Sequence, residues 1–216
     1  MDIDELVHRH PRLSHMAAAG TWPSLRTHGL LPTRTLVTTS GLPAAEQEQL
    51  LGRRRDHAVV LDHPQLGRVV LRDQGPLRLH LLRLTDLTVR QWLEVLNDRV
   101  FLWPDERRLD GLLAARRYRE DEHTVLTLDT ASLVRAHEAD VRLSTINSGA
   151  TLYPNAPPRG THTFVRLADH PVRGGRPVAE LVVLGGVPEL AAHVVRVERR
   201  RGSEVLGVLH DATPGS

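Results

Sequence analysis

The 216-residue sequence contains no cysteine and no lysine, and only 3% of its residues are aromatic. The lack of cysteine excludes disulfide bridges, thiol nucleophiles and cysteine-ligated zinc, and is typical of a protein in a reducing cytoplasm. The lack of lysine excludes Schiff-base chemistry, lysyl adenylates and the lysine of a Walker-type phosphate site. The few aromatic side chains leave little material for a platform that stacks single-stranded bases.

Long apolar runs are also missing. No stretch approaches the roughly 20 apolar residues that a membrane span needs. The first ten residues, MDIDELVHRH, are acidic and then basic, without the apolar segment of a signal peptide. With 40% hydrophobic and 25% charged residues, the composition is that of an ordinary globular protein. We therefore expect a cytoplasmic protein that has no membrane partner.

All 28 basic side chains are arginine, and with 26 acidic residues they leave a formal net charge of +2. Arginine clusters occur at 53–55, 106–108, 115–117 and 198–201. Each cluster, taken alone, is typical of a solvated surface. Because a guanidinium binds phosphate and carboxylate well, the clusters together permit an anionic ligand or a nucleic acid.

The hydrophobic pattern predicts helices mainly in the first half of the chain and strands mainly in the second. A strand over 12–17 precedes a helix with Thr21 as N-cap and Gly29 as its stop. A hairpin is predicted around 64–67, and a long polar loop over 143–160. Further helices are predicted over 43–55, 88–98, 104–118 and 130–137, and strands over 99–103, 123–129, 161–167, 178–184, 191–198 and 203–209. This order indicates an α+β fold: a single domain over 1–216, with a core at about 12–209 and a mixed, split β-sheet flanked by helices.

The apolar stretch at 176–197, RPVAELVVLGGVPELAAHVVRV, contains Glu180 near its start. A lone buried carboxylate costs several kcal/mol unless it is paired, protonated or used in chemistry. The alternative is a strand-edge glutamate that points into water. His15, on the first predicted strand, is similarly either a structural histidine or a ligand contact, and His8 and His10 lack a nearby third metal ligand.

Taken in order, several segments resemble the DarT-type ADP-ribosyltransferases. LSHMAAAGTWPSLRTHGLL at 13–31 resembles the opening histidine strand, helix and turn of that family, and EQLLGRRR at 48–55 resembles its arginine-bearing helix. RVFLWPDERRL at 99–109 lies where the family has an aromatic strand, and 178–197 resembles its carboxy-terminal strand, turn and strand. RRRDHAVVLDHP, VVLRDQ and INSGAT are similar to an uncharacterised bacterial family of similar length, which supplies no activity.

The resemblance implies roles for individual residues. It makes Glu180 the catalytic glutamate, together with Arg54 or Arg55, which contact the pyrophosphate of NAD or orient the acceptor. It places NAD against His15 and Met16, with Arg72 as a further phosphate contact. The INSGAT segment has no counterpart in that family, but its hydroxyl and amide donors make Asn147 and Ser148 candidate contacts to a phosphate or ribose of NAD; the alternative is an ordinary turn. The strands of His15 and Glu180 would then face one cleft, and the loop that ends near Arg159 would border it. No metal is implied.

The implied function is the transfer of ADP-ribose from NAD to a DNA base, another nucleic acid or a protein acceptor. The protein would be a monomeric toxin-like transferase, with an antitoxin as a further partner. The sequence departs from the DarT pattern because HMAAAGTW replaces the family's HIDNL opening, FLW replaces PFYF, and 142–160 has no counterpart. The acceptor is therefore open. Alternatives are an RNA 2′-phosphotransferase, an NAD glycohydrolase, or a non-enzymatic binding domain on the same fold.

Overall fold

The computed structural model describes residues 1–171 and 177–212, so Arg176 and the end of the predicted domain at 213–216 lie outside the described residues. The α-helices are α1 (Ile3–Arg9), α2 (Trp22–His28), α3 (Thr33–Thr38), α4 (Ala44–Gly52), α5 (Val89–Asn97), α6 (Glu106–Leu113) and α7 (Thr130–Ala136). The strands are β1 (Arg12–Ala18), β2 (Val59–His63), β3 (Gly67–Leu71), β4 (Arg99–Leu102), β5 (Glu122–Asp129), β6 (Val141–Ser144), β7 (Val165–Arg166), β8 (Glu180–Leu184), β9 (Val194–Arg201) and β10 (Glu204–Asp211). Short 3-10 helices occupy Leu79–Leu81, Thr161–Thr163 and Leu190–Ala192.

The strands form two four-stranded sheets and a separate hairpin. The first sheet has the order β1-β5-β9-β10, the second has the order β4-β8-β6-β7, and β2 pairs with β3. All of these pairs are antiparallel. The chain is thus a single α+β domain, but the predicted mixed sheet is wrong. The helical connections carry the chain from one sheet to the other and do not return it to a parallel neighbour.

The two sheets touch edge to edge at one point. Ser14 of β1 and Trp103, just after β4, exchange two backbone hydrogen bonds of 2.9 Å. Because β1 and β4 are both edge strands, this bridge joins the sheets at their borders. The main core packs around this junction. Leu13 and Leu126 come from the first sheet, Leu102 and Leu181 from the second.

Helices close the remaining sides of the molecule. α1 packs on α7, whose first turn is capped by the Asp129 carboxylate, and α6 packs on β1. The helices α3 and α4 share a smaller core with the β2–β3 hairpin, through Val37, Leu51 and Leu71. This arrangement fixes the hairpin opposite the open edge of β1. No helix within 1–171 or 177–212 has the length and apolar character to cross a membrane.

Several local predictions are confirmed. The hairpin turns at 64–67, and α2 ends at Gly29, whose φ of 80° and close contact with the Val187–Pro188 backbone leave no room for a Cβ. A capping box formed by Thr88 and Gln91 starts α5 within its predicted range.

Other boundaries differ from the prediction. Thr21 does not cap α2, because its hydroxyl donates back to the Ala18 carbonyl at 2.7 Å. The helix α6 begins at Glu106 and not at Pro104, and Asp105 caps it, since its carboxylate accepts from the Arg107 backbone N–H. The polar loop starts after β6, not at Leu143, and the strand predicted over 161–167 is a 3-10 turn followed by the two-residue β7. The short helices α1 and α3 were missed.

We expect acid to destabilise the fold through buried histidines. His63 is only 4% exposed, and its Nδ1 accepts from the backbone N–H groups of Gln65 and Leu66 at 3.2 and 3.3 Å. A protonated ring cannot accept these bonds, and burial lowers the pKa of His63 below its ordinary value. The unfolded chain therefore binds this proton first, so the free energy of unfolding falls as the pH drops below about 6.5.

The measurement is urea unfolding between pH 8 and pH 5 for the wild type and for His63→Gln, with exposed His57→Gln as the matched control. His63→Gln should flatten the loss of stability below pH 6.5, whereas His57→Gln should reproduce the wild-type curve. Identical pH dependence in all three proteins would contradict the assignment.

Candidate functional site

A cleft of about 330 Å³ opens where β1 and β4 separate beyond the Ser14–Trp103 bridge. Its volume falls within the range of about 300–1,000 Å³ typical of small-molecule sites. The open edge of β1 and the end of β4 form one wall, and β3 of the hairpin forms the opposite wall. The side chains and loops that matter below are those of His15, Arg68, Arg72, Trp103, Asn147 and Glu180.

Glu180 begins β8 and is only 3% exposed, although it borders the cleft. Its Oε2 accepts from the Ser148 backbone N–H at 3.0 Å and from the Ser148 hydroxyl at 2.6 Å. Burial raises the pKa of Glu180 to about 7, against the opposing effect of these two hydrogen bonds. The strand-edge alternative is therefore wrong: the carboxylate is buried, held by two donors, and poised to exchange a proton near neutral pH.

Ser148 serves Glu180 rather than the open cleft. Its side chain is buried, and both its donors are used by the carboxylate. Its predicted role as a direct contact to NAD is thus replaced by a role in orienting Glu180. Asn147, the other predicted residue of this segment, does line the cleft together with Gly149 and Ala150. The loop borders the cleft, as the sequence predicted.

The turn at 147–150 is held by the side chain of Arg159, which is 1% exposed. Its Nε donates to the Ser148 carbonyl at 3.1 Å, and its Nη2 donates to the carbonyls of Asn147, at 3.0 Å, and Ala150. Its Nη1 donates to the Pro157 carbonyl at 2.6 Å. One guanidinium therefore holds the turn that presents Ser148 to Glu180.

His15 lies on the far side of the junction from Glu180, with β4 between their strands. Its Nδ1 is 2.9 Å from the Phe101 carbonyl, so Nδ1 carries the proton and Nε2 is the acceptor. Burial lowers the pKa of His15 to about 4, and the nearby charge of Arg72 also lowers it. The ring is therefore neutral at pH 7 and suited to accept a hydrogen bond from a ligand hydroxyl. It stacks on Trp103 with the ring centroids 6.3 Å apart.

Met16, the neighbour of His15, does not present its side chain to a ligand. That side chain is fully buried in a small core with Leu109, Leu113 and Tyr118. Successive residues of a strand point to opposite faces, so His15 and Met16 cannot both line one surface with their side chains. The Met16 side chain therefore faces this small core. Its backbone carbonyl does border the cleft, where it accepts from Arg72 at 3.2 Å.

The cationic wall of the cleft comes from β3. Arg72 follows this strand, and its guanidinium lies 4.7 Å from the centre of the Tyr118 ring. The Tyr118 hydroxyl in turn donates to Asp73 at 3.1 Å. Arg68, four residues before Arg72 and exposed, also lines the cleft. The period of two along a strand places both arginines on one face. This spacing is visible in the sequence, but only Arg72 was predicted as a phosphate contact, and Arg68 was not.

Arg54 and Arg55 have structural roles. Arg55 is 8% exposed and donates to the carbonyls of Leu50 and Arg72 and to the Asn97 side chain. Burial lowers its pKa to about 10. These bonds tie α4 and α5 to the hairpin, although Arg55 also forms part of the cleft wall. Arg54 pairs with Asp56 and donates to the Gln74 carbonyl, outside the cleft. These structural partners do not support the predicted catalytic roles of Arg54 and Arg55.

Two observations concern residues outside the predicted set. Arg108, exposed on α6, is close enough for its charge to favour the ionised form of Glu180. The sequence shows that Arg108 and Leu112 share a helix face but not that this face approaches β8. Within the described ranges, no three histidine, aspartate or glutamate side chains cluster as metal ligands would, so His8 and His10 have no third ligand beside them.

The fold and the site together define an α+β domain with a cleft between two antiparallel sheets, lined by a neutral histidine, a buried glutamate and arginines. Residues 11–194 match the model of DUF7002, a family of unknown function, and the chain belongs to this family. The match includes every strand that borders the cleft. Neither the curated proteins nor the solved structures contain a match to this chain.

The raised pKa of Glu180 predicts that its charge destabilises the fold. A carboxyl whose pKa rises from about 4.5 to about 7 on folding stabilises the folded state in its protonated form. Its contribution to the free energy of unfolding is complete below pH 4.5 and is lost as the pH rises through 7. Glu180→Gln keeps the shape and can still accept from Ser148. The variant should therefore gain stability relative to the wild type between pH 5 and pH 8.5, by up to about 3 kcal/mol.

Thermal melts of both proteins at the two pH values give this difference. Glu204→Gln, at an exposed position of β10, is the matched control and should show no such gain. A Glu180→Gln protein that melts earlier than the wild type at pH 8.5 would instead indicate a buried ion pair that the substitution breaks.

Proposed function

We propose that the protein is an NAD-dependent ADP-ribosyltransferase, with a fold of that class. The single observation that carries the proposal is the convergence of a neutral His15 and a buried, serine-held Glu180 on one cleft, at the point where two sheets part. The resemblance of the His15 and Glu180 segments to the DarT-type enzymes supports it independently of this geometry.

The chemistry suits one buried carboxylate. The bond between the nicotinamide nitrogen and the ribose C1′ breaks with its electron pair leaving on nicotinamide, through a transition state of oxocarbenium character. The ionised Glu180 stabilises the positive charge on the ribose and accepts a hydrogen bond from a ribose hydroxyl. The acceptor then forms the new bond to C1′, and its proton passes to Glu180. A carboxyl with a pKa of about 7 serves both as the anion and as the base.

The opposite end of the dinucleotide matches the rest of the cleft. The Nε2 of His15 accepts from a ribose hydroxyl, because Nδ1 donates to Phe101. The guanidiniums of Arg68 and Arg72 on the β3 wall face the pyrophosphate, the role first given to Arg54 and Arg55. The Trp103 ring, stacked on His15, offers a flat surface to an aromatic ring of the ligand.

The proposed acceptor is a nucleic acid, in the first instance a DNA base, and a protein side chain is the second possibility. The arginine clusters and the exposed Arg108 near Glu180 favour a phosphate-bearing acceptor. Hydrolysis of NAD by water would make the enzyme a glycohydrolase. A 2′-phosphotransferase relies on arginines and a histidine, so the buried Glu180 argues against it. A cytoplasmic, monomeric protein restrained by an antitoxin is the matching biological setting.

The central experiment follows nicotinamide release from NAD with single-stranded DNA, with RNA, with protein and with no acceptor. Wild type should release nicotinamide and label one acceptor with ADP-ribose. Glu180→Gln should lose at least about 100-fold in turnover, the usual effect of removing a general base. Glu204→Gln is the matched control and should retain full turnover. Nicotinamide release without any labelled acceptor would favour the glycohydrolase, and no release under any condition would refute the proposal.

Replacement of the β3 arginines tests the revised position of the pyrophosphate. Arg68→Gln should raise the KM for NAD about tenfold and leave kcat nearly unchanged, because a hydrogen bond to a charged group contributes about 1.5–3 kcal/mol. Arg54→Gln makes the same charge change outside the cleft and should leave the KM within about twofold of wild type. Equal effects of the two substitutions would show that β3 does not hold the pyrophosphate.

A further inference from the structure

Arg159 is a buried cation without a direct carboxylate partner. Its side chain is 1% exposed, and four of its hydrogen bonds end on backbone carbonyls. Among the described residues, no aspartate or glutamate lies within ion-pair distance of it. A buried charge is costly unless something compensates it, and carbonyl dipoles supply only part of that compensation.

The anion that compensates the Arg159 charge is Glu180, which Arg159 reaches through one intervening residue, Ser148. Ser148 lies between the two charges. Its carbonyl accepts from Arg159 at 3.1 Å, and its N–H and hydroxyl donate to Glu180 at 3.0 and 2.6 Å. The Ser148 N–H also belongs to the same peptide group as the Asn147 carbonyl, which accepts from Arg159 at 3.0 Å. Two hydrogen bonds that share a peptide group polarise each other, because the low dielectric of the interior strengthens the dipole. The Arg159 charge therefore favours the ionised carboxylate, and the Glu180 charge favours the ionised guanidinium.

We propose that Arg159 is a positioning residue for Glu180: through the 147–148 turn it fixes the orientation of the carboxylate and favours its ionised form. Its importance for turnover rests on the proposed function. The effect of Arg159 on the ionisation of Glu180 is independent of the proposed function and can be measured without any substrate.

Three other titratable groups lie near Glu180 or line the same cleft. Arg108 of α6 also favours the ionised form, but it is exposed, so salt and water screen its charge. His15 of β1 and Arg72 beyond β3 line the same cleft, and His15 is neutral at pH 7. Arg159 is the cation whose effect should persist at high ionic strength.

The experiment measures the pKa of Glu180 by NMR of ¹³C-labelled glutamate carboxyls in 0.5 M NaCl, with Glu180→Gln to assign the signal. Arg159→Gln should raise this pKa by about one unit or more, the size expected from loss of a nearby opposite charge. Arg159→Lys keeps the charge but loses most carbonyl contacts, so it should raise the pKa less. Arg166→Gln removes an exposed arginine on β7 and should leave the pKa unchanged.

Turnover of NAD supplies the second readout. At pH 7, Arg159→Gln should lower kcat about tenfold with little change in KM, and the loss should diminish above pH 8, where Glu180 ionises regardless. A merely structural arginine would lower stability without moving either the pKa or the pH profile.

A folded Arg159→Gln protein whose Glu180 pKa matches the wild type would overturn the proposal. If that variant does not fold, an unchanged pKa in Arg159→Lys has the same consequence. A shifted pKa in a protein that never releases nicotinamide would leave Arg159 as the positioning residue and remove the proposed function. If the wild type releases nicotinamide but the Glu180 pKa is unchanged in the variants, the proposed function stands and Arg159 is not a positioning residue.

Discussion

The architecture depends on a single edge-to-edge contact between its two sheets. Ser14 and Trp103 exchange a pair of backbone hydrogen bonds, and no further bridge joins β1 to β4 in the described part of the chain. Because two edge strands pair at one point and then diverge, the peptide edge of β1 is left facing a cleft and not another strand. The His15 side chain spans the divergence by donating to Phe101, so the residue that marks the cleft also helps to hold it open.

The absence of lysine acquires a structural meaning in this fold. Arg55 and Arg159 each direct several N–H groups at carbonyl oxygens of different segments, which a lysine ammonium on one flexible stem cannot do in a fixed geometry. Arg55 joins two helices to the hairpin, and Arg159 shapes the turn at 147–150. These two arginines therefore stabilise a loop and a contact between elements by binding backbone carbonyls, in addition to any contact that other arginines make with an anionic ligand.

The cleft concentrates groups that are unfavourable for stability. Glu180 is a buried carboxyl with a raised pKa, and Arg72 and His15 have pKa values lowered by burial. Proteins retain such groups where function requires them, since each desolvated charge reduces the free energy of unfolding. Elsewhere, buried polar side chains bind the backbone: neutral His63 accepts from the N–H groups of Gln65 and Leu66, and Arg55 donates to the carbonyls of Leu50 and Arg72.

The sequence by itself determined the α+β class, the hairpin, and most helices and strands, and it singled out Glu180 and His15, which both line the cleft. Hydrophobic period, glycine stops and a lone carboxylate in an apolar run are local signals, so a local analysis finds them. It predicted a mixed sheet where the paired strands are antiparallel, because strand direction depends on which sheet each connection leads to. It likewise predicted that Arg54 and Arg55 contact the pyrophosphate or the acceptor, and that Ser148 contacts NAD.

Only the tertiary structure decided those roles. Arg55 donates to two backbone carbonyls and to the Asn97 side chain, which lies 42 positions away, and Ser148 donates to Glu180 across 32 positions. Arg159 shapes the turn that brings those last two together, yet nothing in its sequence neighbourhood distinguishes it from an exposed arginine. Whether a polar side chain binds a ligand or its own backbone depends on which donors and acceptors folding brings within about 3 Å, and the order of residues along the chain does not specify that.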